Sequence, residues 1–189
     1  MCCRPLMPSR HSTGAPAGNQ RYLRHRGPRG PSAGMIEMGS RREVDSIEAV
    51  IHRMFEEMIP FNRVIGLKID SLDPKAPRLK FDMRPELVGN PVRQILHGGV
   101  ISATLDVVGG LAIALASIAE KGVAATAKQF PNVGTIDLRV DYLRPGRGKH
   151  FIATGRVVRL GGRVAVVHME LVNDAEEQIA TGSAAYIIG

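Results

Sequence analysis

Cysteine is nearly missing from this chain. Of 189 residues only Cys2 and Cys3 are cysteines. That excludes a disulfide framework and a cysteine-based metal site, and it fits a reducing, cytoplasmic compartment. Acidic residues are missing from the first 34 positions, which are rich in Arg, Pro, Gly and Ser. No apolar h-region accompanies the arginines, so a secretory signal is not expected, and the Pro and Gly oppose the amphipathic helix of a transit peptide. The composition predicts a disordered basic tail over residues 1–42, with Met35 and Met38 near its end as later starts. Net charge is missing from everything beyond it. Up to residue 42 there are eight Arg against one acid, Glu37, which accounts for the whole formal net charge of +7. From Glu43 onward the charges balance, and a nucleic-acid-binding face, which needs clustered charge on a folded surface, is not expected. A second membrane span is missing too. The single candidate, residues 100–119, carries Asp106 at its middle, at a cost of about 2.5–3.5 kcal/mol in lipid. Gly109 and Gly110 weaken it by about 1 kcal/mol each. A helix buried by protein is the better expectation, with no membrane partner.

What is present is organised around that run. From Val44 to Ile59 apolar residues recur at helical spacing, with Asp45 and Glu48 as cap and capping partner and Pro60 as the expected stop. Val64–Leu72 and Arg78–Met83 read as short strands around the turn residues 73–77. Residues 84–94 read as a loop, and a Gly/Ala/Lys linker follows the long helix. Val133–Leu143 alternates, with Ile136, Leu138, Val140 and Tyr142 on the apolar face and Thr135 on the polar one. Phe151–Leu160 and Arg163–Val172 flank the hairpin signal Gly161-Gly162. Gln178–Ile188 forms a last strand whose Ala180, Gly182 and Ala184 row lets another element approach. Adjacent strands joined by tight turns imply an antiparallel sheet, hence an α+β domain over residues 43–189, with the sheet wrapped around the long central helix.

The chemistry gathers at two points of that helix. Its first turn, His97-Gly98-Gly99, offers unpaired backbone N–H groups and the positive end of the macrodipole, able to polarise a carbonyl or hold an oxyanion. Asp106 is a carboxylate inside an apolar helix, costly unless paired or used. It lies seven residues past Gly99, two turns on, so both share a face roughly 10 Å apart. One helix therefore cannot polarise and attack the same carbonyl. Two antiparallel copies can, which predicts a symmetric oligomer, dimer or dimer of dimers, with shared sites.

The segments L-H-G-G-V-I-S-A-T-L-D (96–106) and G-T-I-D-L-R-V-D-Y-L-R-P-G-R-G (134–148) together resemble the hotdog-fold acyl-CoA thioesterases. Within these the chain is most similar to the PaaI-like group and its YigI-type medium- and long-chain members. The resemblance spans roughly residues 47–189. It implies a hotdog fold and hydrolysis of an acyl-CoA to fatty acid and coenzyme A without metal or organic cofactor. It implies that the Gly98 N–H polarises the thioester carbonyl and that Asp106 activates water or attacks directly. Asn90 or Gln94 would orient the water or carboxylate, and Thr135 would match the hydroxyl residue on the following strand. His97 would fix the turn by hydrogen bonding rather than act as a base. Gly99 would lie against the substrate. Arg144, Arg147, Arg159 and Arg163, at strand ends and turns, are candidates for the coenzyme A phosphates or for plain solvated surface charges. Leu87, Val107, Val108 and Leu111 are candidates for an apolar acyl slot or for plain core.

Other readings fit less well. A hydratase of the same fold would carry a His shortly after the helix carboxylate, and none occurs before His150. A non-catalytic acyl-CoA-binding protein has little reason to bury Asp106. The loop 145–149 lacks the spacing of a phosphate-binding P-loop.

Overall fold

The computed structural model describes residues 46–189. The basic tail, its two cysteines and Asp45 lie outside them. In chain order the elements are α1 (residues 46–58), α2 (Pro60–Ile65), β1 (Lys68–Ser71), β2 (Arg78–Asp82), β3 (Val88–Asn90), β4 (Ile95–Leu96), α3 (Gly98–Lys121), α4 (Val123–Gln129), β5 (Gly134–Tyr142), β6 (His150–Leu160), β7 (Val164–Asn173) and β8 (Gln178–Ile187). Six strands form one antiparallel sheet in the order β1-β2-β6-β7-β8-β5, and β3 with β4 makes a separate small hairpin.

α3 is the hub. Its length and apolarity satisfy the criteria for a membrane-crossing helix, yet the sheet uses it as core. Leu105, Val108, Leu111 and Ala112 are fully buried in a cluster with Phe151, Ala153, Ala165, Val167, Leu171 and Ile179 from the strands. Burying one such Leu contributes about 1.5–3 kcal/mol. Close approach requires small residues. A Cβ at Gly155 of β6 would stand 2.7 Å from the Val108 carbonyl oxygen, so only glycine lets β6 pass this near the helix. The small-sided row of β8 does the same work, with Gly182 packed beside Leu105.

Strands β5 to β8 lie within one residue of their expected ends, because turn residues mark the breaks between them. The N-terminal half departs from expectation in three places. Pro60 does not merely stop a helix; it opens α2, at N1, where its missing N–H costs nothing. Val64 and Ile65 finish that helix rather than start a strand. α1 ends in a π-turn over Arg53–Met58, closed by Ile59 N–H on the Met54 carbonyl. Residues 84–94 are not a plain loop but a 3-10 turn, Pro85–Leu87, and the β3–β4 hairpin. The Gly/Ala/Lys linker is largely helix α4, in keeping with the propensity of Ala and Lys.

Candidate active site

Asp106 is half-buried, and its two oxygens have different surroundings. Oδ1 accepts from Thr135 Oγ1 at 2.8 Å and from Tyr186 Oη at 3.1 Å. The Tyr186 hydroxyl also reaches the Asp106 backbone carbonyl at 3.0 Å. Oδ2 has no partner among the described residues. Burial, with the Asp106 charge and its hydrogen bond behind it, pushes the Tyr186 phenol well above its usual pKa. Tyr186 is thus a permanent donor, and it is only 2 % exposed.

Thr135 and Tyr186 stand opposite each other in the β5–β8 register. Plain alternation puts Thr135 on the outer face and Ile136 inside, and the structure reverses this. A bulge between Thr135 and Asp137 shifts the register, so Thr135 turns toward α3 and Ile136 is 58 % exposed. Bulges re-aim side chains in this way. Room for the tyrosine comes from Gly109, one turn beyond Asp106, where a Cβ would overlap the Tyr186 hydroxyl.

The second point is the first turn of α3. His97 is its N-cap, in extended conformation, and its Nδ1 accepts the Gly99 N–H at 2.8 Å. An accepting Nδ1 leaves the proton of the neutral ring on Nε2. His97 therefore holds the turn, and neither nitrogen is set up as a base. The Gly99 N–H is committed to His97, whereas the Gly98 N–H has no partner among the described residues. Behind the turn, the His97 N–H bonds the Leu87 carbonyl at 2.8 Å, and Gly89 lies so close that a Cβ would stand 2.6 Å from the His97 Cα. Tyr142 Oη donates to the Gly98 carbonyl at 3.1 Å. The free Gly98 N–H thus sits at the end of a 24-residue helix whose dipole places about half a positive charge there.

The remaining candidates separate. Asn90 Oδ1 accepts from the Val92 and Arg93 N–H groups, and Gln94, at φ +49°, donates from Nε2 to the Pro91 carbonyl at 2.6 Å. Both amides shape the β3–β4 turn, and neither bonds Asp106. The four arginines do not form one cluster. Arg144 and Arg147 lie in the β5–β6 loop, which is pinned beside the α3 start by Leu96 N–H on the Gly146 carbonyl. Arg144 also donates to the Gln178 carbonyl. Arg159 and Arg163 flank the β6–β7 hairpin, about 30 Å away along β6, at the sheet end where β5 and β8 hold Asp106. Leu87, Val108 and Leu111 are core residues; Val107 is half-buried. Among the described residues no three His, Cys, Asp or Glu side chains gather as a metal-ligand set. From Gly98 to Asp106 the helix rises about 12 Å, so one protomer does not bring the free N–H and the free carboxylate oxygen together.

Sequence reasoning missed Tyr186, Tyr142, Gly89 and Gly109. Gly109 carried a weak signal: a glycine inside a helix costs stability and often has a packing reason, here the Tyr186 hydroxyl.

Comparison with known proteins places this arrangement among relatives. Residues 93–180 match the family model described as Thioesterase superfamily. The chain is 40% identical over 143 residues to the medium/long-chain acyl-CoA thioesterase YigI of Salmonella typhimurium, covering 74% of this chain and 92% of that protein. A solved structure from Shewanella oneidensis, described as related to the thioesterase superfamily, superposes with a TM-score of 0.72 at 40% identity, covering 77% of this chain and 97% of that one. Zebra fish thioesterase superfamily member 2 shares the fold at 23% identity, with a TM-score of 0.59 over 74% of this chain and 94% of that one.

Proposed function

The chain belongs to the thioesterase superfamily, and from that premise we propose that it hydrolyses medium- to long-chain acyl-CoA to a free fatty acid and coenzyme A. The observation that carries this is the asymmetric holding of Asp106. Two hydroxyl donors fix Oδ1, while Oδ2 is left without a partner among the described residues. That is the arrangement of an aimed carboxylate, and a pure binder gains nothing from it. In the reaction, water against Oδ2 gives a proton to that oxygen as the water oxygen bonds the thioester carbon. The carbonyl electron pair moves onto oxygen, where the Gly98 N–H and the helix dipole stabilise it. Such a donor is worth about 100- to 1000-fold in rate. Collapse breaks the C–S bond, and the proton on Asp106 passes to the departing sulfur. Direct attack by Oδ2 uses the same oxygen; a single turnover in heavy-oxygen water labels Asp106 only in that case.

Because of the 12 Å helix rise, Asp106 and Gly98 of one catalytic site come from two copies in antiparallel arrangement. β5 is an edge strand with Ile136, Tyr142 and Leu143 exposed, a surface suited to a symmetric partner. Such pairing joins Arg144 and Arg147 of one copy with Arg159 and Arg163 of the other around one set of coenzyme A phosphates. The use of α3 as core supports a protein working outside the bilayer, and cysteines confined to Cys2 and Cys3 fit the reducing cytoplasm.

The test is a chain-length panel of acyl-CoA thioesters with free-thiol detection, on wild type and Asp106→Asn. Turnover of medium and long chains by wild type, lost at least 1000-fold in the variant with substrate affinity kept, supports the reading. No cleavage by wild type, or full activity in the variant, refutes it.

A further inference from the structure

An apolar cavity of about 250 Å³ lies between α1, the C-terminal half of α3, and α4. Val50, Met54 and Phe55 form one side, Ala114 and Ile118 another, and Phe130 its end. Among the described residues no charged side chain lines it. Thr126 on its wall turns its hydroxyl to the Gly122 carbonyl at 2.9 Å, so the cavity presents no unpaired hydroxyl there. It has the chemistry of a hydrocarbon site.

Its place on α3 identifies the hydrocarbon. Asp106, Gly110, Ala114 and Ile118 follow one another at four-residue spacing and form a single ridge of the helix. At Gly110 no atom stands within 4 Å of where a Cβ would be. Among the described residues nothing fills the ridge at this step, between the carboxylate and the cavity-lining Ala114 and Ile118. From Asp106 the ridge reaches Ala114 after about 12 Å and Ile118 after about 18 Å. An extended alkyl chain, with single bonds of about 1.5 Å at tetrahedral angles, spans those lengths with roughly ten to fourteen carbons.

We propose that this cavity seats the distal acyl chain of the substrate, and that Val50 and Met54 of α1 determine the chain length taken. The proposal rests on the thioesterase reading above. α1 is anchored to α2 and β1 independently of the cavity. Glu56 binds Lys68 at 2.9 Å and the Ile69 N–H at 2.9 Å, and the buried Asn62 amide donates to the Phe55 carbonyl at 2.9 Å. Val50, by contrast, is 58 % exposed, so the cavity mouth is bordered by uncovered apolar surface that an alkyl chain would cover.

The test is kcat/KM across hexanoyl- to hexadecanoyl-CoA for wild type, Val50→Trp, which fills the cavity, and Met54→Ala, which enlarges it. Each methylene displaced from an apolar site costs about fourfold. The tetradecanoyl-to-hexanoyl ratio should fall at least tenfold in Val50→Trp, and the optimum should move to longer chains in Met54→Ala. Opposite shifts cannot come from general damage to the fold. If Val50→Trp does not fold, Ala127→Leu fills the cavity from the exposed side of α4. Unchanged profiles in folded variants, with Asp106→Asn inactive, overturn the cavity assignment and leave the chemistry standing. An active Asp106→Asn overturns the chemistry beneath it.

Discussion

Removing the Tyr186 hydroxyl tests whether Asp106 is positioned or merely present. Tyr186→Phe keeps the ring that fills the space above Gly109 and deletes one atom, the Oη that reaches Asp106 Oδ1 at 3.1 Å and the Asp106 carbonyl at 3.0 Å. A hydrogen bond to a charged acceptor is worth about 1.5–3 kcal/mol. If that bond holds the carboxylate in its reactive orientation, its loss lowers kcat by about 10- to 100-fold, with KM little changed. Thr135→Ala removes the other donor to the same oxygen, at 2.8 Å, and should lower kcat by a similar factor. Since both hydroxyls fix one atom, either alone holds it in part, and the double variant should be non-additive by about 0.5–3 kcal/mol. The assay is steady-state thiol release on the four proteins of the cycle, with thermal melts alongside. A cycle in which kcat is unchanged while melting temperature falls would show that the two hydroxyls serve the fold alone, and the positioning argument would be wrong.

Gly109→Ala puts a methyl into the Tyr186 hydroxyl and should reduce kcat at least as far as Tyr186→Phe, read in the same assay. Thr104 is fully buried and its hydroxyl lacks a partner among the described residues. Thr104→Val, nearly isosteric, should raise stability by about 1 kcal/mol by removing that uncompensated group, measured by denaturant unfolding; a destabilised variant would mean that the hydroxyl is bonded. Burial raises the pKa of Glu56, but the Ile69 N–H, Lys68 and His52 outweigh it and hold the carboxyl below its usual range. Its stabilising contribution is therefore full above the unfolded-state pKa near 4.5 and is lost as pH falls through the lower folded-state value. Glu56→Gln should melt below wild type at pH 7, and the gap should close in acid. A gap that persists below the folded-state pKa contradicts the assignment.

The legible parts of this fold are those in which local chemistry and burial agree. β6 and β7 could be read to within a residue because two runs rich in Val and Ile flank a Gly-Gly turn. α3 could be read because His97-Gly98-Gly99 marks a start and the apolar run marks a core. Pro60 could be read two ways, since proline both ends one helix and begins another. The linker after Gly122 concealed α4 because its alanines look featureless without the contacts they make. At the site, Asp106 and Gly98 stood out from the sequence. Thr135 was named, but alternation misplaced it, since a one-residue bulge leaves no mark in a hydrophobic pattern. Tyr186 could not be linked to Asp106 by any local signal. It lies 80 residues away, and only the β5–β8 pairing brings it opposite Thr135.

The central claim is that one catalytic site takes Asp106 from one copy and the Gly98 N–H from another. Mixing two inactive variants tests it directly. Asp106→Asn removes the carboxylate. Gly98→Pro removes the N–H at a position that tolerates proline, because His97 before it is already extended, and the nearest atom to a Cβ there, on the Tyr142 ring, stands at an ordinary 3.4 Å. Mixed dimers of the two carry one intact shared site in two. Equal mixing after dissociation should restore about a quarter of wild-type activity, half of the dimers being mixed. If each site lay within one protomer, every copy in the mixture would lack one group, and no activity would return.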